Sequence, residues 1–369
     1  MKTTKYALVA LVLSAPMIFV AAAGASGTSA PAGFGPVSVS FISASLGFAL
    51  GTWPCAHTPC TSLRTTDDGG ASWSALAGPP APVPNPAVPQ SASGVDEITF
   101  ANPSDGWVFG PALWATTNGG LTWHQEKPGG PVISLAAEGG YTYAAVGSCY
   151  QTSSNCSPTV KLERSPVQQD AWQSVPGISG HGTQVLWATQ GSAVWAVLWP
   201  TSAGPASVWA SASGTSWRRY PDPCYNRSLG IDLAGLAAPT SKVLFELCAG
   251  NPGAGQEAKS LRLSTNGGAT SRLVSDLPLG GLAYGIAASN SKDVVVTAVS
   301  GASIIYRSVN GGGTWGTKTF NDGGAGLFDL QFAAPALGAV VEGRPGLGTS
   351  TNRLLVTRDG GTTWSASGL

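Results

Sequence analysis

One phrase recurs along this chain and limits what it can fold into. TTDDGGASW (65–73), TTNGGLTW (116–123), SVNGGGTW (308–315) and TRDGGTTW (357–364) are four copies of one pattern. Three further copies are worn. LSTNGGATS (263–271) carries Ser271 in place of the tryptophan, SASGTSW (211–217) is a residue short, and RSPVQQDAW (164–172) keeps Ser165, Asp170 and Trp172. The tryptophan-equivalent positions are 73, 123, 172, 217, 271, 315 and 364, about 48 residues apart. That period belongs to a four-stranded propeller blade or to a helical solenoid unit.

The stretches between copies favour strands. Residues 37–41 and 98–100 alternate apolar and polar, Gly47-Phe48 and Gly106-Trp107 open a second run, and 353–357 leads into the phrase. Short β-branched and aromatic runs between Gly, Pro and Asn turns read as strands, and no stretch after residue 25 carries a helical apolar period. Seven sheets with two apolar faces each hide both by stacking in a ring, and the first and last copies are full, with no polar cap. The expected fold is therefore all-β, a seven-bladed propeller of four-stranded antiparallel blades, with the phrase turning the chain between third and fourth strands. In that turn Asp68, Asn118, Asn310 and Asp359 accept from backbone N–H groups, the paired glycines take positive φ, and Trp73, Trp123, Trp315 and Trp364 bury their indoles. These roles are structural.

Thr66-x-Asp68-Gly-Gly-x-Ser72-Trp73 and Thr357-x-Asp359-Gly-Gly-x-Thr363-Trp364 resemble the Asp-box, or bacterial neuraminidase (BNR) repeat, of sialidase-like propellers, the sortilin ectodomain and the photosystem II assembly-factor-like propellers. The fuller pattern of apolar strand, Gly-aromatic pair and phrase is most similar to the assembly-factor-like group and covers nearly the whole chain beyond residue 35. The resemblance implies the fold. It does not carry the activities: sialidases have an Arg-Ile-Pro motif that is absent here, and the first arginine is Arg64, already beside a phrase. The basic patch expected of an assembly factor is missing too, since only Arg218 and Arg219 are adjacent.

Residues 1–25 read as a signal peptide: Lys2 and Lys5, an apolar run from Ala7 to Ala23, then small residues around Ala25. An uncleaved anchor is the alternative. Residues 26–35 read as a linker and 36–369 as one propeller domain. Secretion is the expected localisation, with no membrane span after cleavage. In that setting six cysteines pair. Cys55 with Cys60 and Cys149 with Cys156 are close in the chain, which leaves Cys224 with Cys248; all six map to loops and strand ends of the face opposite the phrases. Nineteen acids balance nineteen bases, which excludes nucleic acid as a partner. Only 10% of residues are charged, so folding should persist to acid pH.

Candidate site residues fall into two sets. Trp53, Tyr150, Trp199 and Tyr225 lie in loops of the cysteine face and suit a protein or cell-surface glycan. Asp96, Glu97, Asp232 and Asp329 start innermost strands near the channel mouth and are the catalytic alternative, a glycoside hydrolase working with two carboxylates. No metal site and no cofactor are expected, Cys55-x-His57-x-x-Cys60 having too few ligands for a closed zinc site, and the chain is expected to be a monomer.

Overall fold

The computed structural model describes residues 33–55, 60–85, 91–149, 159–182, 184–200, 204–349 and 351–369. Among them the chain forms seven four-stranded antiparallel sheets and no helix. Each sheet takes its strands consecutively, so that blade 1 spans residues 35–77, blade 2 97–126, blade 3 132–181, blade 4 184–220, blade 5 231–276, blade 6 282–320 and blade 7 327–366. The first strand of every blade touches the first strands of the blades before and after it, blade 7 meeting blade 1, which puts first strands at the axis and fourth strands at the rim.

The blades adhere through apolar side chains that fill the seams. Phe48 of blade 1 stacks on Phe100 of blade 2, with ring centroids 3.6 Å apart, amid Leu50, Leu63 and Val108. Between blades 4 and 5 the filling is Trp195, Val197, Leu233, Leu236 and Leu244. Each of these side chains is nearly closed to water, and burying one contributes about 1.5–3 kcal/mol.

The recurrent turn works by side-chain bonding. Thr66 Oγ1 accepts from Gly70 N at 2.8 Å and donates to Asp68 Oδ1, whose carboxylate also takes Ala71 N, Ser72 N and Ser72 Oγ. Asn118, Asn266 and Asn310 do the same with an amide, each donating Nδ2 to the threonine four residues on. The two glycines that follow lie at positive φ, as at Gly69 and Gly70 (70° and 83°), a region strained for other residues. Their first N–H reaches back to the neighbouring hairpin of the same blade, as in Gly69 N to Ser45 O and Gly360 N to Ala336 O.

The ring closes by packing. Blade 7 supplies its own fourth strand, Ser365–Ala366, and among the described residues its sheet takes no strand from another blade. Phe34 and Gly35, read from the sequence as linker, already belong to the packed body. Phe34 is buried, and Gly35 lies so close to Thr349 of blade 7 that a Cβ there would sit 2.3 Å from the Thr349 carbonyl oxygen.

Candidate functional site

Alternation of strand direction puts the recurrent turns on one face. The loops between second and third strands, with the crossovers between blades, lie on the other. On this second face Cys55 is bonded to Cys60 across the loop of blade 1, and Cys224, in the crossover from blade 4, is bonded to Cys248. Cys248 sits within the second strand of blade 5, Leu244–Gly253, which runs five residues beyond the end suggested by the apolar run. Cys149 is disulfide-bonded as well, while its expected partner Cys156 lies outside the described residues, as do Tyr150 and residues 1–32.

Two of the candidate aromatics are engaged within the fold. Trp53 lies under the Arg64 guanidinium, 5.3 Å from its ring centroid, and Phe34 takes the same cation at 4.7 Å. Trp199 Nε1 donates to Leu233 O at 2.8 Å, fastening blade 4 to the innermost strand of blade 5. Tyr225 is half-buried beside Cys224 and faces a groove of 480 Å³ with Pro205, Arg219, Tyr220 and Asp222. Asp222 shapes this groove by accepting Ala206 N and Cys224 N. Sequence reasoning passed over Asp222 because, in Pro221-Asp222-Pro223-Cys224, it reads as an ordinary turn residue.

At the axis the carboxylates separate into two places. The first strand of blade 7, Leu327–Phe332, is bulged between Phe328 and Gln331, and Asp329 takes the left-handed conformation at φ 55°. Asp329 Oδ2 accepts Ser38 Oγ at 2.8 Å and Val39 N at 2.6 Å, and Ser38 Oγ accepts Ile98 N of blade 2 at 3.1 Å. Two residues on, Gln331 Oε1 accepts Phe41 N and Ser40 Oγ accepts Phe100 N. Blades 7, 1 and 2 are thus laced at the axis by side chains, where no ladder bond joins one blade to the next.

Glu97 opens the first strand of blade 2 and faces Asp96 and Asp329. Burial, and then these two like charges, push its carboxyl well above the ordinary range. Burial raises Asp329 as well, against the bonds from Val39 N and Ser38, to about 6. Both side chains are exposed at the axis, so the burial that raises them is enclosure by the surrounding strands and not closure from water. Asp96 packs against the backbone of blade 2, where a Cβ on Gly110 (φ 99°) would collide with its carboxylate. Asp232 stands elsewhere: burial raises it, and its charged neighbour is Asp222. Of the four carboxylates, then, Asp96, Glu97 and Asp329 form one cluster and Asp232 belongs with the cysteine-face groove. Among the described residues no group of three His, Cys, Asp or Glu side chains is arranged to hold a metal ion.

No protein-family model matches the sequence, and no curated protein aligns with it. Solved structures do match. YCF48 bound to a D1 peptide superposes with a TM-score of 0.55 at 19% identity, covering 89% of this chain and 94% of that one. YCF48 from Cyanidioschyzon merolae gives 0.57 at 15%, covering 90% and 98%. The GH74 xyloglucanase from Xanthomonas campestris gives 0.52 at 15%, covering 90% of this chain and 67% of that chain. At these identities the likeness establishes the fold, in keeping with the assembly-factor-like pattern of the sequence.

Proposed function

We propose that this chain is a secreted, non-enzymatic propeller that holds a segment of a partner protein on its cysteine face. The observation that carries the reading is the Cys224–Cys248 bond beside the groove of Tyr225, Arg219 and Asp222. A crossover already packed between blades needs no covalent tie to complete its sheet. A tie there holds an aromatic ring, a cation and an anion in fixed relation, which lowers the ordering entropy of binding. A propeller of the same fold is known with a peptide bound, which supports the class of partner. Export is part of the proposal, on the strength of the signal-like first 25 residues and the disulfides.

The test is selection of a random peptide library on the purified chain, followed by titration of selected peptides against Tyr225→Ala and Arg219→Glu. Loss of affinity of about tenfold or more supports the site. Peptides that bind both variants as they bind the parent, or a chain that retains only glycans on an array, would remove it.

One observation favours a second reading. Glu97 and Asp329 share a mouth, and each holds its proton more tightly than a free carboxyl. Two carboxyls at one mouth, one raised by the other, are the equipment of a glycoside hydrolase. Hydrolysis of any substrate in a polysaccharide and aryl-glycoside panel, abolished by Glu97→Gln, would establish that reading in place of the first.

A further inference from the structure

Six of the seven turn phrases end in tryptophan, and these indoles lie in the seam with the preceding blade. Trp73 donates to Ser367 Oγ of blade 7, Trp123 to Ala77 O of blade 1, Trp172 to Glu126 Oε2 of blade 2 and Trp315 to Ser275 Oγ of blade 5. Trp217 meets Tyr143 of blade 3 edge to face, and Trp364 packs with Val295 and Ile305 of blade 6. The acceptor lies three or four residues after the preceding blade's own tryptophan position.

Blade 5 breaks the series. Ser271 precedes the Leu263–Arg272 pair as Trp73 precedes the Thr65–Ser74 pair, so its Cβ has the same register and direction. Its short side chain accepts from Arg262 Nε at 3.1 Å, within its own blade. An indole in this position would extend toward Tyr220 and Pro221 of blade 4. At that seam, on the turn-bearing face, there is a cleft of 730 Å³. Trp195 forms its floor and donates Nε1 to Gly267 O, Tyr220 and Ala210 flank it, and Arg218 and Lys242 stand at its mouth. Both cations are exposed, and among the described residues neither forms an ion pair.

We propose that the seam between blades 4 and 5 is a binding site for a flat aromatic ring carrying a negative charge. The space belongs to a ring by construction, because the repeat fills it with an indole everywhere else. The walls mix apolar groups such as Ala193 and Ala210 with the hydroxyls of Ser211 and Ser213, which suits a ring bearing a polar substituent better than a bare hydrocarbon. Tyr220 offers accessible aromatic surface over the buried edge of Trp195, and Arg218 and Lys242 favour an anion over its neutral counterpart. The cleft opens on the turn-bearing face and shares only Tyr220 with the groove of Tyr225, so variants at Ser271, Arg218 and Lys242 test it apart from the peptide-binding reading.

The probe is indoleacetate, titrated calorimetrically into the full chain, with tryptophol as the neutral ring of the same shape. Single-site binding of indoleacetate is expected, with tryptophol about tenfold weaker or more. Ser271→Trp refills the seam and should abolish binding while leaving Tm unchanged or raised. Arg218→Glu with Lys242→Glu should weaken indoleacetate at least about tenfold without altering the fold. Absence of saturable binding into the millimolar range, equal affinity for tryptophol, or undiminished binding by Ser271→Trp each overturns the proposal. If Ser271→Trp does not fold, the double charge variant decides alone, and unchanged affinity there overturns it.

Discussion

Trp73 Nε1 donates to Ser367 Oγ at 2.6 Å, and Ser367 Oγ donates onward to Gly70 O at 2.7 Å. Two residues 294 positions apart are thereby joined across the seam between the first and last blades. Among the described residues no strand is exchanged at this seam, so side-chain contacts of this kind, with Arg358 Nη2 on Gly69 O and Asn352 Nδ2 on Pro36 O, hold the wheel shut.

Truncation at this seam should therefore be felt throughout the fold. Trp73→Ala leaves a hole among Phe41, Ala339 and Val356 and is expected to cost about 3–5 kcal/mol. Ser367→Ala removes one bonded hydroxyl and should cost about 1 kcal/mol. Urea unfolding measures both. A Trp73→Ala midpoint equal to the parent's would mean that the wheel does not depend on this seam.

The recurrent turn should tolerate one exchange at Asp68 and not the other. Asn occupies the equivalent position in blades 2, 5 and 6 and likewise accepts the N–H and bonds the hydroxyl of the residue four positions on. Asp68→Asn is expected to shift stability by less than about 0.5 kcal/mol. Asp68→Ala removes the acceptor of Ala71 N, Ser72 N and Ser72 Oγ, for a loss of about 1–2 kcal/mol. Equal losses for the two variants would contradict the role assigned to the carboxylate.

Stability should peak on the acid side of neutrality. Burial, and then Asp170, raise Glu126 to about 7. Burial likewise raises Glu246 to about 7, against the Ser271 bond and Arg262. The folded chain binds these protons more tightly than the unfolded one. Their contribution is complete below the unfolded value of about 4.5 and is lost as pH rises through about 7. Asp68 and Asp359 act in the opposite sense. Desolvation raises them, but the turn bonds together outweigh it and hold both at about 2, so their contribution is present above about 3.8 and lost as pH falls through about 2. Both are exposed, so the acid limb is the shallower. Thermal melts should show Tm increasing from neutral pH down to about pH 4–5 and decreasing below about pH 3. Glu126→Gln with Glu246→Gln should flatten the neutral limb; a Tm that is highest at neutral pH in the parent would refute the assignment.

Removing the two described disulfides should have unequal effects. Cys224–Cys248 closes a separation of 24 residues and Cys55–Cys60 one of 5. Chain entropy alone gives about 3.5 kcal/mol for the first and about 2 kcal/mol for the second. Paired Cys→Ser variants, compared by denaturant midpoint, should keep that order. The reverse order would show that loop closure is not the main contribution of these bonds.

Much of this architecture was legible in the chain because its signals are local. The phrase carries its own hydrogen-bond partners within eight residues, so the Asp or Asn, the glycine pair and the terminal tryptophan could be read without knowing what surrounds them. Counting phrases counted blades. Two-residue alternation gave the strands, although at Gly35 and at Cys248 the boundaries moved once tertiary packing was present. The candidate site was legible only in part. Asp329 and Glu97 were visible as carboxylates near strand starts. Their meeting, and the separation of Asp232 toward Asp222, depends on which blades adjoin and on a bulge that no local residue pattern announces.

Sequence alone determined the repeat, the strand-rich blade and the number of sectors, because each follows from contacts between residues a few positions apart. Only the tertiary structure decided how the wheel closes, which aromatics are taken up by packing, which carboxylates share a mouth and what the loss of an indole at Ser271 leaves behind. Those outcomes depend on side chains from blades tens to hundreds of residues apart, where burial and like-charge proximity, which no linear pattern encodes, set the energies.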